Sequence, residues 1–197
     1  GKNCGKYVVK IMSLDEKNVD GEEPTRLTFH NEVKLLKDLQ NVEAEYKGKK
    51  WHCVPRLYGS GICFNDFKEF FEDDDGMELG YIIMEAMEPI PYSIYSKGLN
   101  CTFKEQMFAT FLAIVKAGFV QVDSNENNMM MNKDGLPIII DWGLGWSKKW
   151  GNATYENYLG GWKPNIDWKE FLRVQYQNIA DIRSSLEDCG KKETELE

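Results

Sequence analysis

The sequence predicts an α+β fold, and three observations carry that prediction. Tyr7-Val8-Val9-Lys10-Ile11-Met12 and Tyr81-Ile82-Ile83-Met84-Glu85 are dense in β-branched and aromatic residues and read as strands. Apolar residues at 29, 33, 36 and 39 recur at helical spacing, which makes 28–40 an amphipathic helix of about three turns. Residues 103–117 form a second, more apolar helical run, with Gly118 placed as its C-cap.

The remaining elements follow in chain order. Residues 16–25, with Gly21 and Pro24, form a polar connection, and a loose segment runs from the first helix to Lys50. Residues 54–64 read as a turn, a short strand, a glycine bend at Gly59-Ser60-Gly61 and a second strand. Six acids between 69 and 78 mark a solvated loop. After Gly118 come a polar stretch over 121–128, apolar Met129–Met131, a turn at Lys133-Asp134-Gly135, and a strand over 136–140 that runs into Asp141-Trp142-Gly143. Residues 144–165 are rich in Gly, Trp and Asn without periodicity, 167–186 predict a closing helix, and the last eight residues read as frayed.

Composition bounds the function. The 197 residues suit one domain or two small lobes sharing a cleft, and 42% apolar with 28% charged residues is the balance of a folded globular chain. With 24 Lys and Arg against 32 Asp and Glu, the net charge of −8 argues against general nucleic-acid binding, which needs a basic surface. No run approaches the roughly 18 apolar residues that span a bilayer, and the first ten residues do not read as a signal peptide, so an intracellular, cytoplasmic protein is expected. Cys4, Cys53, Cys63, Cys101 and Cys189 are scattered and odd in number, which favours reduced thiols over a disulfide framework or zinc site. The sequons at Asn100 and Asn152 are short patterns that carry no weight without a secretory signal. With only His30 and His52, chemistry is expected to run on carboxylates, Lys and Asn.

Two constellations supply those groups. Lys10 stands in the middle of an apolar strand, and Glu32 shares the helix face that carries Phe29, Leu36 and Leu39. A lone buried charge is costly, so strand and helix are expected to pack with the two paired; the alternative is that Lys10 snorkels and Glu32 sits at the edge of the stripe. Asp123, Asn128 and Asp141 offer two carboxylates and an amide on a loop and the end of the following strand. Such hard oxygen ligands suit Mg²⁺ together with phosphate, although Asp and Asn are also ordinary loop residues.

The order of YVVK, a helix Glu in FHNEVKLL, YIIMEAM, D-x-x-x-x-N and I-D-W-G resembles the eukaryotic-type protein kinase superfamily and its small-molecule kinase relatives. The resemblance covers about residues 7–143 and implies a two-lobed fold: a small antiparallel-sheet N-lobe over 1–88 with a hinge near 85–88, and a reduced, mainly helical C-lobe over 89–197. It implies ATP and Mg²⁺ as cofactors. Lys10 would contact the α- and β-phosphates and pair with Glu32, Asp123 would orient or deprotonate the acceptor hydroxyl, and Asn128 and Asp141 would bind Mg²⁺. Glu85 and Met87 would meet the adenine edge, with Met84 as gatekeeper and Val8 and Met130 closing on the ring; plain core packing is the other reading of those apolar residues.

The departures are specific. The family's H-R-D is Gln121-Val122-Asp123 here, and Asn125 stands where Ser/Thr kinases usually carry Lys. Cys4-Gly5-Lys6 is no Gly-rich loop, and no A-P-E follows Asp141, a trimming seen in viral-type minimal and atypical kinases; for a viral protein the host cytoplasm is implied. The implied activity is transfer of the ATP γ-phosphate to a Ser/Thr hydroxyl of a protein. A small-molecule alcohol, nucleotidyl transfer, and a pseudokinase module that engages a partner kinase are the alternatives.

Overall fold

The computed structural model describes residues 6–14, 25–65, 77–91, 101–121, 123, 126–150 and 173. Its centre is a three-stranded antiparallel sheet in the order β1 (Tyr7–Ser13), β5 (Met77–Glu85), β4 (Leu57–Asn65), with helix α1 (Thr25–Leu39) packed on one face. The register sets Lys10 opposite Ile82 and Val8 opposite Met84, so these alternate residues of β1 share the face of the buried Ile82. Tyr7, Val9 and Ile11 lie on the other face and are exposed, with Tyr7 edge-to-face against Tyr58. Among the described residues β1 pairs with β5 alone.

Helix α1 buries Phe29, Glu32, Leu35, Leu36 and Leu39 along one stripe, as 3.6-residue periodicity requires. Arg26, in its first turn, pairs with Glu78 of β5. The helix gives way to a hairpin, β2 (Glu43–Tyr46) and β3 (Lys49–His52), where the sequence suggests only a loose connection. Its turn places Lys47 at φ 50° and Gly48 at φ 78°; two successive left-handed residues are what a two-residue hairpin turn demands, and only the second is a glycine.

The expected glycine bend at 59–61 is absent: Gly59 and Gly61 continue in β4, which carries an irregularity between Leu57 and Gly59. At Gly61 the missing side chain serves close approach, because a Cβ there would stand 2.5 Å from the Tyr81 hydroxyl on the neighbouring strand. A second close approach occurs at Gly80, where a Cβ would meet the Phe29 ring at 2.7 Å.

After β6 (Glu88–Pro89), helix α2 (Cys101–Lys116) ends at Gly118, whose φ of 86° is the left-handed C-terminal geometry that the sequence anticipates. The chain continues through β7 (Phe119–Val120), a 3-10 turn at Glu126–Asn128, β8 (Met129–Met131), β9 (Pro137–Ile139) and β10 (Trp146–Ser147). These make a three-stranded antiparallel sheet, β6-β8-β9, and a two-stranded pair, β10-β7. Between 89 and 150 the described residues hold one α-helix and two small sheets, and the rest of the expected mainly helical second half, beyond 150, lies almost wholly outside the described residues. Of the helix expected over 167–186 only Arg173, which is helical, is described, and the acidic stretch before Met77, residues 1–5, 151–165 and 190–197 lie outside the described residues.

One contiguous apolar core joins these parts, from Phe29, Leu35 and Leu36 on α1 through Trp51 and Cys53 to Phe111 and Ile114 on α2 and to Trp142, which is completely buried. Both of its completely or nearly buried indole N–H groups are matched: Trp51 Nε1 donates to Thr110 Oγ1 at 3.1 Å, and Trp142 Nε1 to the Ile139 carbonyl at 3.1 Å. Cys53 and Cys63 are free, but Cys101 is disulfide-bonded, against the expectation of reduced thiols throughout.

Candidate active site

β1 delivers Lys10 toward α1 because the two-residue alternation of a strand puts it on the helix side of the sheet. Its ammonium stands 2.8 Å from Glu32 Oε2 and 2.9 Å from Asp141 Oδ1. The strand lysine and the helix acid are thus paired, and the alternative of a snorkelling Lys10 does not apply. Glu32 is only 2% exposed, whereas Asp141 is 47% exposed. One ammonium between two carboxylates leaves the cluster with a net charge of −1, an electrostatic invitation to a cation.

Both ends of the buried pair feel the arrangement. For Lys10, burial acts to lower the pKa and is the largest single influence, but Glu32 and then Asp141, by charge and hydrogen bond, together hold it above its ordinary 10.5. For Glu32, burial raises the pKa and prevails over the charge and hydrogen bond of Lys10, while Asp141 adds to the rise and the backbone N–H of Trp142 opposes it.

Asp141 leaves the end of the β9 strand with φ 55°, a left-handed conformation that a non-glycine residue adopts at a cost. Gln121, itself buried, accounts for it. Its Nε2 donates to the carbonyls of Ile140, at 2.9 Å, and Asp141, while its Oε1 accepts the Asp123 N–H at 3.1 Å. One side chain therefore joins the loop of Asp123 to the segment of Asp141. Asn128 tightens that loop: its Nδ2 donates to the Asp123 carbonyl at 2.7 Å and to Asp123 Oδ2 at 3.0 Å, and its carbonyl accepts the Ile140 N–H at 2.9 Å.

From the other side, Asn31 of α1 donates to the carbonyls of Gly143, at 2.7 Å, and Gly145, at 3.0 Å. Neither amide is singled out by sequence reasoning for this work. Gln121 is visible there only as a substitute for His, and Asn31 only as a neighbour of Glu32.

The structure thus brings Lys10, Glu32 and Asp141 into direct contact, and Asp123 and Asn128 into a second contact tied to the first through Gln121. Among the described residues no group of three or more His, Cys, Asp or Glu is arranged to hold a metal. The oxygen donors at hand are the Asn128 amide oxygen and the Asp141 carboxylate, of which Oδ1 already faces Lys10. Two hard oxygen ligands fit Mg²⁺, which keeps several waters and takes phosphate oxygens, better than a metal that needs an all-protein cage.

No protein-family model matches this chain, and no curated protein matches it. Solved structures do. The co-crystal structure of WbdD with the kinase inhibitor LY294002 is similar at TM-score 0.51 and 15% sequence identity over 98% of this chain and 44% of that one. Monomeric WbdD gives 0.47 and 16%, over 92% and 42%. This chain therefore spans less than half the length of the WbdD chains it matches. The fold is kinase-like.

Met84 is buried at the end of β5 opposite Val8, which is exposed at the sheet edge, and Met130 pairs with Pro89 across β6 and β8. The Glu85 N–H is engaged by the Arg56 carbonyl at 2.8 Å, and the Ala86 N–H by the Lys6 carbonyl at 3.1 Å. Met87 is partly buried against the core. No helix among the described residues is long and apolar enough to cross a membrane.

Proposed function

We propose that this chain is an Mg²⁺- and ATP-dependent phosphotransferase that moves the γ-phosphate of ATP to a hydroxyl, that of a protein Ser or Thr in the first instance. The observation that carries the reading is the sharing of Lys10 between Glu32 and Asp141. A buried ion pair has no necessary stability benefit, whereas an ammonium held rigid on two sides keeps its third N–H for an anion such as a phosphate.

The chain reads as two lobes, 1–88 and 89–197, with ATP between them, its adenine along Glu85 to Met87 and its phosphates at Lys10. Asn128 and Asp141 would hold Mg²⁺, which when bound neutralises charge on the phosphates. Lys10 steadies the α- and β-phosphates. Asp123 accepts the proton of the acceptor hydroxyl as its oxygen bonds to the γ-phosphorus and the bond to the β-phosphate oxygen breaks, releasing ADP.

A second reading, a pseudokinase module that binds a partner, is favoured by one observation. Asp141, a metal ligand of the first reading, here has its Oδ1 engaged by the Lys10 ammonium. Titration of the chain with ATP, with and without Mg²⁺, followed by transfer assays on protein mixtures and on a panel of sugars and amino alcohols, separates the two. The enzyme reading expects Mg²⁺-dependent binding and transfer, both lost in Asp141→Ala and Lys10→Ala. No binding at millimolar Mg²⁺-ATP defeats it, and transfer only to the small alcohols moves the substrate class.

A further inference from the structure

We infer that Asn31 is a positioning residue that fastens the segment carrying Asp141 to helix α1, so that Glu32 and Asp141 reach Lys10 as one unit. This rests on the reading of Lys10, Glu32 and Asp141 as a functional centre.

Asn31 is 5% exposed and immediately precedes Glu32. Two carbonyls, those of Gly143 and Gly145, converge on its Nδ2. Only the NH₂ end of the amide can donate, so the orientation of the side chain is fixed. The same orientation leaves its Oδ1 buried without a partner. The amide is held for its two donations, with one unpartnered oxygen as their cost.

The surrounding packing has the same purpose. Thr28, Asn31 and Leu35 follow one another at helical spacing on α1 and form the surface against which the segment lies. A Cβ at Gly145 would stand 2.7 Å from both Leu35 Cδ1 and Trp142 Cε3, and one at Gly143 would stand 3.5 Å from Thr28 Cβ. Gly145 lets the backbone come close enough for a side chain as short as Asn to reach both carbonyls, and Gly143 lies in ordinary contact with Thr28. The Trp142 N–H donates back to Glu32, and Lys34 lies over the Trp150 ring at 4.3 Å. Any displacement of α1 therefore carries the 141–145 segment with it, and Lys10 loses or keeps both carboxylates together.

Hydrogen exchange on the full chain tests this, read by mass spectrometry on peptides from 25–39, 101–116 and 140–147. In wild type under sub-denaturing urea, 25–39 and 140–147 should open in the same step; opening of 140–147 while α1 stays protected overturns the inference. Asn31→Leu and Asn31→Asp should raise exchange across 140–147 about tenfold or more, with 101–116 within about twofold of wild type. Ile114→Val, a core change in α2 away from the contact, should leave 140–147 unmoved. Exchange across 140–147 within about twofold of wild type in a folded Asn31→Leu protein also overturns it. Mn²⁺-ATP affinity should fall about tenfold in the Asn31 variants while metal-free ATP binding changes by less than about twofold, a split that loss of stability alone would not give. Failure of wild type to bind ATP defeats the phosphotransferase reading and leaves the exchange result standing on its own.

Discussion

Gln121 holds the carbonyl of Asp141 while Asp141 is in a left-handed conformation, and the same amide receives the N–H of Asp123. Gln121→Leu would leave two carbonyls and one N–H without this partner inside the fold. A loss of about 2–3 kcal/mol is expected by urea unfolding. Misplacement of Asp141 and Asp123 should also lower phosphoryl transfer by about 100-fold, and an unchanged rate would mean that Gln121 does not set their geometry.

Truncating Lys10 should cost more stability than neutralising Glu32. Lys10→Ala strands a buried carboxylate and is expected to cost about 3 kcal/mol, the low end for a broken buried pair because Lys10 is a third exposed. Glu32→Gln leaves Lys10 its second partner, Asp141, and should cost clearly less in the same denaturant titration.

The pH dependence follows from the signs of the two shifts. Lys10 is raised above 10.5 in the folded state, so its contribution is fully present below pH 10.5 and is lost as the pH climbs through the folded pKa. Stability should fall in that alkaline window, and Lys10→Met should flatten the fall. Glu32 is raised above 4.5, so the folded chain keeps a proton there that the unfolded chain gives up. Stability should therefore decline as the pH rises from 4.5 through the folded value, and Glu32→Gln should remove that slope in unfolding curves taken at stepped pH.

Gly80→Ala should destabilise by about 1–3 kcal/mol, because the added methyl meets the buried Phe29 ring. Gly61→Ala meets the Tyr81 ring, which is partly exposed on the outer face and has room to swing, so its melting temperature should drop less.

Cys63 should react with iodoacetamide in the folded protein and Cys53 should not. Cys53 is buried, and burial, opposed by a backbone hydrogen bond at Ala44 and aided by the charge of Glu43, pushes its thiol up to about 12. Only the thiolate attacks, so labelling of Cys53, read by peptide mass mapping, should begin where the chain unfolds.

The elements that set the site were legible because each rests on local periodicity. β1 and β5 announce themselves by β-branched density, α1 and α2 by helical spacing, and the polar misfits Lys10 and Glu32 by their place within apolar patterns. The β2–β3 hairpin was not legible, because Lys47 takes a left-handed conformation without the Asn or Gly that usually signals it. The glycines of β4 misled because the same residue type serves a bend and a close approach, and only the Tyr81 ring on the next strand decides between them. The roles of Gln121 and Asn31 were hidden for a related reason. Their partners are main-chain carbonyls, and a carbonyl has no letter in a sequence.

The outer face of the β1-β5-β4 sheet has a practical consequence for handling the chain at the bench. Tyr7, Val9 and Ile11 stand bare on that face, with Tyr58 against Tyr7, a row of apolar side chains on which a second sheet can stack. Concentrated stocks should grow turbid through sheet stacking before the helices melt, and a charge introduced at Val9 should delay that onset without altering the Lys10 cluster on the opposite face.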